Sequence, residues 1–278
     1  MPRYRLLAID IDGTLVNSRD ELTGSTRAAL GRAMAAGIHV VLATGRRYSR
    51  TLHLVEPLGL TVPLVTASGA LVKDPADHRT LYRARFEPDV LRRTLCAMDE
   101  QGFCPIACAD TFHEGFDFYT DRDRVDGEEL AEYFRLNPGA GRIAPRLLDI
   151  PPPGTFCAFT MGTHDEMLDL EAHLKGRLPG KLHTHVLRSP RYIGYMCEVA
   201  PAGVTKWSAI RRLARQWQIA DSDICAVGDD VNDIPMIRAA GLGVAMGNAL
   251  PSVKAAAARI APAQEHDGLV EVVGWLLG

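Results

Sequence analysis

Short apolar runs alternate with amphipathic stretches through the first third of the chain. Tyr4 to Ile11 (YRLLAIDI) is a compact apolar run, the pattern of a buried strand. Thr23 to Ala36 follows, with Leu30 and Met34 at i,i+4 spacing, Thr23 placed to cap a helix and Gly37 to end it. Ile38 to Ala43 (IHVVLA) is again apolar and β-branched. The pattern predicts a second helix over Arg47 to Leu58 and a third strand over Val62 to Thr66. Ser68-Gly69 reads as a turn, and Ala70 to Val72 with Thr80 to Phe86 as a hairpin about Asp74-Pro75. An order of strand, helix, strand, helix, strand implies a parallel sheet with helices on both faces.

The last third repeats this alternation. Val204 to Gln218 predicts a helix, with Ile210, Leu213 and Trp217 on one side. Strands follow at Ile224 to Val227, Leu242 to Ala245 and Arg259 to Ala261, with helices over Ile234 to Ala240 and Leu250 to Ala258. The middle differs. A helix is expected over Pro88 to Gln101, with proline in its first turn and Gly102 just past its end. Aromatic strand-like pieces come next, then the charge run Asp121 to Glu129, expected to be a solvated loop or helix start. Pro151 to Pro153 makes a stiff spacer before a strand over Thr155 to Met161 and a helix over Asp165 to Leu174. A mixed α+β insert, 84–194, is therefore expected to interrupt an α/β domain made of 1–83 and 195–278.

Composition narrows the class. Lys plus Arg total 31 against 34 Asp plus Glu, a net charge of −3, which leaves no basic footprint for nucleic acid. With 47% hydrophobic and 23% charged residues, the 278-residue chain has the profile of a globular protein. No apolar run approaches the roughly 18 residues that cross a bilayer, and the apolar start is cut by Asp10, too early for a signal peptide. Six cysteines show no CxxC pair, so reduced thiols in a cytoplasm are expected.

Four segments outside the insert carry candidate chemistry. Asp10 and Asp12 in DIDGT lie two apart at a strand end, where paired carboxylates stay ionised together only around a cation. Thr44 and Gly45 in LATGR, at a strand-to-helix junction, can offer a hydroxyl and N–H groups to an anion, or simply cap a turn. Lys206 falls in the first turn of a helix, where a cation opposes the macrodipole unless it reaches a bound anion. VGDDVND, Val227 to Asp233, gathers three acids and an amide after another apolar strand; such oxygen donors suit Mg²⁺ shared with a substrate phosphate. Ligands of parallel α/β sheets bind beyond the carboxyl ends of strands, where all four segments fall.

Other patterns fail on inspection. Asp10, Asp12 and Glu21 match three EF-hand positions, but Leu15 stands where that loop needs glycine. His183 and His185 would share a strand face without enough ligands for a transition metal. GLGVAMG, Gly241 to Gly247, is not the GxGxxG of a dinucleotide site.

On these residues the chain resembles the haloacid dehalogenase superfamily, and within it the Cof-type phosphatases. DIDGT is similar to the first superfamily motif, LATGR to the second, Lys206 within PAGVTKWSAI to the third, and GDDVND to the fourth, with EHDGL near the C-terminus also similar. Ser68 in ASGA departs from the pattern, which commonly has asparagine before Gly-Ala. The resemblance implies a Rossmann-like core with a large α+β cap, and a Mg²⁺-dependent phosphatase acting on small phosphorylated metabolites such as sugar phosphates. By similarity Asp10 is the nucleophile that forms a phosphoaspartyl intermediate, and Asp12 the general acid and base. Thr44, Gly45, Lys206 and Asn232 would hold phosphate oxygens, and Arg46 would meet either the phosphate or the cap. Asp10 and Asp229 would bind Mg²⁺ through side chains, Asp12 through its main-chain oxygen, with Asp233 orienting the set and Asp230 at a variable position. The cap, hinged near Ala84 and Gly194, would contact the leaving group, with Glu114, Arg191 and Tyr192 as candidates. A phosphosugar mutase on the same scaffold and a non-catalytic phosphometabolite-binding protein are the alternatives.

Overall fold

The structure, a computed structural model, describes residues 3–121, 127–188 and 191–278, so 122–126 of the charge run lie outside the described residues. The chain divides into two compact units, one made of Met1–Tyr82 with Thr205–Gly278, the other of Arg83–Val204.

In the first unit, five parallel strands form one sheet in the order Arg259–Ile260, Leu242–Ala245, Ile224–Gly228, Leu6–Ile9, His39–Leu42. The Leu6–Ile9 strand (LLAI) is wholly buried and sits between two others, Ile9 opposite Val227 on one side and Leu42 on the other. Strands buried on both faces read as unbroken apolar runs, the pattern the sequence carries here. Leu6, Ala8 and Val41 pack one face with Ala209, Ile210 and Leu213 of the Lys206–Gln216 helix and with Met236 and Ile237. Alternation turns Leu7 and Ile9 to the other face. The Gly24–Ala35 helix packs with the Gly268–Leu277 helix.

Helix boundaries follow local capping. The Thr23 hydroxyl accepts from the Thr26 N–H at the start of the Gly24–Ala35 helix. Thr205 and Ser208 form a reciprocal capping box at the start of Lys206–Gln216, which makes Lys206 its first residue. The single helix expected over Arg47 to Leu58 is instead two 3₁₀ turns, Tyr48–Arg50 and Leu52–Leu54, and a short helix, Val55–Leu58. There the Thr51 hydroxyl donates to the Tyr48 carbonyl, local bonding that competes with a continuous helix. The third strand, Leu64–Thr66, touches the parallel sheet only through the Ala43–Val65 bridge and otherwise pairs antiparallel with Leu71–Lys73.

The second unit is a six-stranded sheet in the order Leu182–Leu187, Tyr195–Pro201, Thr155–Gly162, Ile106–Ala109, Phe118–Thr120, Gly141–Ile143. Leu91, Leu95 and Met98 of the Pro88–Glu100 helix and Met167, Leu170 and Leu174 of the His164–Arg177 helix cover the face carrying Ala107, Ala158, Cys197 and Val199. Tyr195–Pro201 pairs with Thr155–Gly162 and Leu182–Leu187, so this strand belongs to the second unit although it follows the expected break at 194/195. The fold is α/β, a parallel Rossmann-like core carrying an inserted α+β domain whose own sheet is antiparallel except where Phe118–Thr120 pairs parallel with Gly141–Ile143. No helix among the described residues is long and apolar enough to cross a membrane.

Candidate active site

Register brings the motifs of the first unit together. Asp10 follows the central strand directly, and its N–H donates to the Val227 carbonyl at 3.0 Å. Ala43 N–H donates to Ile9 O on the other side, so the LATGR and GDDVND turns leave the sheet on either flank of Asp10. Asp10 is 4% exposed, Lys206 1% and Asp233 0%. Lys206 Nζ donates to Asp10 Oδ1 at 2.6 Å and to Asp233 Oδ1 at 2.7 Å. Burial works against the charge on Lys206, but the two carboxylates outweigh it and raise its pKa. This resolves the cost of a lysine at a helix N-terminus, since its ammonium is held between two anions.

Both Asp233 oxygens are engaged. Its second oxygen accepts from the N–H groups of Asp229 (3.0 Å) and Asp230 (3.1 Å), closing the GDDVND turn. A side chain on Gly228 would lie 2.3 Å from Asp233 Cγ, so this close approach requires glycine. Asp230 caps the same turn through Val231 N–H at 2.6 Å. Among the described residues, the Asp229 carboxylate accepts hydrogen bonds from neutral side chains. Oδ1 accepts from the Thr14 hydroxyl at 3.0 Å, and Oδ2 from Asn248 Nδ2 at 3.4 Å. Burial, then Asp233, pushes its pKa up to about 8, against the Thr14 hydrogen bond. Asp10 is also pushed up by burial, and Asp233, Asp229 and Asp12 add to this against Lys206.

One carboxylate oxygen each from Asp10, Asp229 and Asp233 lies within 4.8 Å of the others. Three crowded carboxylates with one ammonium among them leave negative charge uncompensated, and Asp229 has no cation of its own. The donor set, all hard oxygens, fits Mg²⁺. Asp233 already accepts three hydrogen bonds, which suits it to hold the others in place rather than to bind directly.

Arg46 binds Asp12. Its Nε and Nη2 donate to the two Asp12 oxygens at 2.9 and 2.8 Å, a planar fork on a carboxylate. Nη2 also bonds Asp20. Burial opposes the guanidinium charge, but Asp12 and then Asp20 raise its pKa further. Nη1 is buried with no hydrogen-bond partner among the described residues. The Thr44 hydroxyl accepts from Arg46 N–H at 3.0 Å, so it caps its own turn. Asn232 Nδ2 donates to Ser68 Oγ at 3.1 Å, and a Cβ built on Gly45 would sit 3.5 Å from both atoms, so Gly45, Ser68 and Asn232 are neighbours. Serine at the family's asparagine position therefore ties the loop after the third strand to the fourth motif.

Sequence reasoning assigned no role to Thr14 or Asn248. Asn248 Nδ2 donates to Gly13 O at 2.8 Å and to Asp229, and its Oδ1 accepts from Gln264 N–H at 3.2 Å. The only available signal was Asn248 following a strand next to a glycine. In the second unit, Tyr192 hydrogen-bonds Asn137 through its hydroxyl at 3.0 Å and packs on Tyr133, with Arg191 beside its ring. Glu114 ends a 3₁₀ turn, Phe112–Glu114. His183 and His185 do share a face, their rings 4.5 Å apart.

The chain is 27% identical to phosphatase YwpJ of Bacillus subtilis, over 98% of this chain and 100% of that protein. It is 28% identical to the HMP-PP phosphatase of Serratia proteamaculans, over 90% of this chain and 86% of the relative. A crystal structure of a haloacid dehalogenase-like hydrolase from Bacteroides thetaiotaomicron superposes with a TM-score of 0.78 at 26% identity, over 98% of this chain and 99% of that one. With the family's own sequence pattern matching residues 7–273, this chain belongs to the haloacid dehalogenase-like hydrolases, as a phosphatase of that family.

Proposed function

We propose that the protein hydrolyses small phosphorylated metabolites, sugar phosphates or related organic phosphates, through a phosphoaspartyl intermediate on Asp10. The observation that carries this reading is the buried Lys206 ammonium bridging Asp10 and Asp233 at a strand end. An Asp10 oxygen attacks phosphorus as the bond to the leaving oxygen breaks. Lys206 offsets the repulsion between carboxylate and phosphate. Asp12 gives its proton to the leaving oxygen, then takes one from the water that attacks the aspartyl phosphate, releasing inorganic phosphate. Arg46 holds Asp12 as the carboxylate that remains once its proton has gone to the leaving oxygen, until the attacking water supplies another. Gly45 N–H, the Thr44 hydroxyl and Asn232 complete the phosphate cradle.

Mg²⁺, when bound, supplies positive charge that polarises the phosphoryl group. Asp10, Asp229 and the Asp12 main-chain oxygen would hold it, with Asp233 orienting them. The inserted unit is assigned the substrate-selecting cap role by its place in the chain. Six free cysteines suit a reducing cytoplasm.

Phosphate release from a panel of sugar phosphates and other phosphoesters, with Mg²⁺ and with EDTA, tests the reading. Release that needs Mg²⁺ and disappears in Asp10→Asn is expected. No release, with isomerised product instead, would favour a mutase; neither, with ligand-induced stabilisation, a binding protein.

A further inference from the structure

We infer that Asp20 is a positioning residue for this reaction: it holds Arg46 from outside the motifs and so sets the orientation of Asp12. The inference rests on the proposed role of Asp12. Arg46 meets Asp12 through Nε and Nη2, and the same Nη2 bonds Asp20. Asp20 is held in place by a built turn. Asn17 Oδ1 accepts from the N–H groups of Arg19 (2.9 Å) and Glu21 (3.0 Å), and Asp20 N–H donates to Asn17 O at 3.0 Å. Ser18 N–H donates to Glu265 at 2.7 Å, which ties the turn to the C-terminal part of the core. Asp20 itself adopts φ +61°, a left-handed conformation that non-glycine residues avoid. Such a conformation persists where the surroundings determine it, and here it delivers an exposed carboxylate to a partly buried guanidinium.

The arrangement answers a difficulty in the site. The fork occupies both Asp12 oxygens and so fits the ionised form; Asp12 carries its proton, and passes it to the leaving oxygen, only when turned out of the fork. A guanidinium whose only anionic partner is Asp12 would follow that carboxylate or hold it back. With Asp20 as second anchor, Arg46 stays in place while Asp12 turns to the substrate and returns. Asp20 thereby acts on both proton transfers of Asp12, to the leaving oxygen and from the attacking water, and only the first depends on the leaving group.

The test compares two esters. An alkyl phosphate needs a proton on its leaving oxygen, whereas p-nitrophenyl phosphate releases a stable anion without one. Asp20→Asn removes the charge, and asparagine tolerates the left-handed backbone, so the turn is kept. In single turnover with enzyme in excess, which reads the first transfer alone, release of the sugar from a hexose 6-phosphate should fall about tenfold, a fraction of what a general acid contributes. Release of p-nitrophenolate in the same experiment should change less than about twofold, and Asp20→Glu should restore part of the loss. An equal fall on both esters, or no change on either, overturns the inference. If Asp12→Asn also fails to distinguish the two esters, or wild type releases phosphate from neither, the proposed role of Asp12 fails and takes the inference with it. An ester-selective Asp12→Asn beside an indifferent Asp20→Asn overturns the inference alone.

Discussion

Lys206 and Asp233 meet at 2.7 Å with neither side chain open to solvent, and the other Asp233 oxygen closes the turn that presents Asp229. One carboxylate thus fixes both the cation beside the nucleophile and the backbone of the second acid cluster. Removing Lys206 leaves the buried Asp10 and Asp233 without their shared cation, and breaking a buried pair in this way costs about 3–5 kcal/mol. Lys206→Met should therefore abolish phosphate release and also lower Tm by on the order of 10 °C, at roughly 2–4 °C per kcal/mol for a chain of this size. Calorimetry of the folded variant checks this; an unchanged Tm would mean that the pair contributes nothing to stability.

Metal response should depend on pH in a definite direction. The Asp229 carboxyl is pushed up to about 8 from a usual 3.8. Its protonated form stabilises the metal-free fold; that contribution is complete below pH about 4 and is lost as pH rises through about 8. Mg²⁺ needs the ionised form, so the Tm difference between Mg²⁺ and EDTA should grow from pH 6 to pH 8.5. Thermal melts across this range test it, with Asp229→Asn expected to flatten the trend. A constant difference would show that Asp229 does not hold the ion.

Asn248→Ala should weaken Mg²⁺ binding without disturbing the sheet. Its amide joins Gly13 O to Asp229 Oδ2 and is itself fixed by Gln264 N–H. Loss of a residue that orients a metal ligand typically costs 10–100-fold in affinity. Titration calorimetry of Mg²⁺ reads this directly, and wild-type affinity would refute it.

Gly13→Ala should be more damaging than its size suggests. Gly13 has φ +76°, and an added Cβ would fall 2.2 Å from Asp229 Oδ2. The backbone strain is about 1–2 kcal/mol, and Asp229 must also move. Phosphate release should fall roughly a hundredfold, as for other displacements of about 1 Å, while far-ultraviolet circular dichroism stays unchanged.

The parallel core was legible because its strands are buried on both faces and stand out as apolar runs such as LLAI and ICAVG. Asp10, Lys206 and Asp233 were legible because each departs from its local rule: an acid after an apolar strand, a cation at a helix N-terminus. What sequence reasoning missed is held by contacts between distant loops. Asn248 is an ordinary turn residue until Gly13 and Asp229 fold around it. The Ser68–Asn232 bond joins residues 164 positions apart. The sequence leaves Arg46 between the phosphate and the cap; its fork on Asp12 is neither, and is visible only in three dimensions. Tyr195–Pro201 has the same apolar alternation whichever sheet it joins, so only pairing assigns it to the second unit.

The place of Leu6–Ile9 at the middle of its sheet bears on how the chain is made. One neighbour, His39–Leu42, emerges from the ribosome soon after it, but the other, Ile224–Gly228, begins 215 residues beyond Ile9. At about 5–20 residues per second, translation leaves that edge of an apolar strand unpaired for roughly 10–40 s. The inserted unit is continuous in sequence and can complete its own sheet in the interval. The nascent amino-terminal segment, in contrast, waits as an open template, so a trigger-factor-like holdase should bind it at intermediate lengths and release it once residue 228 has cleared the exit tunnel.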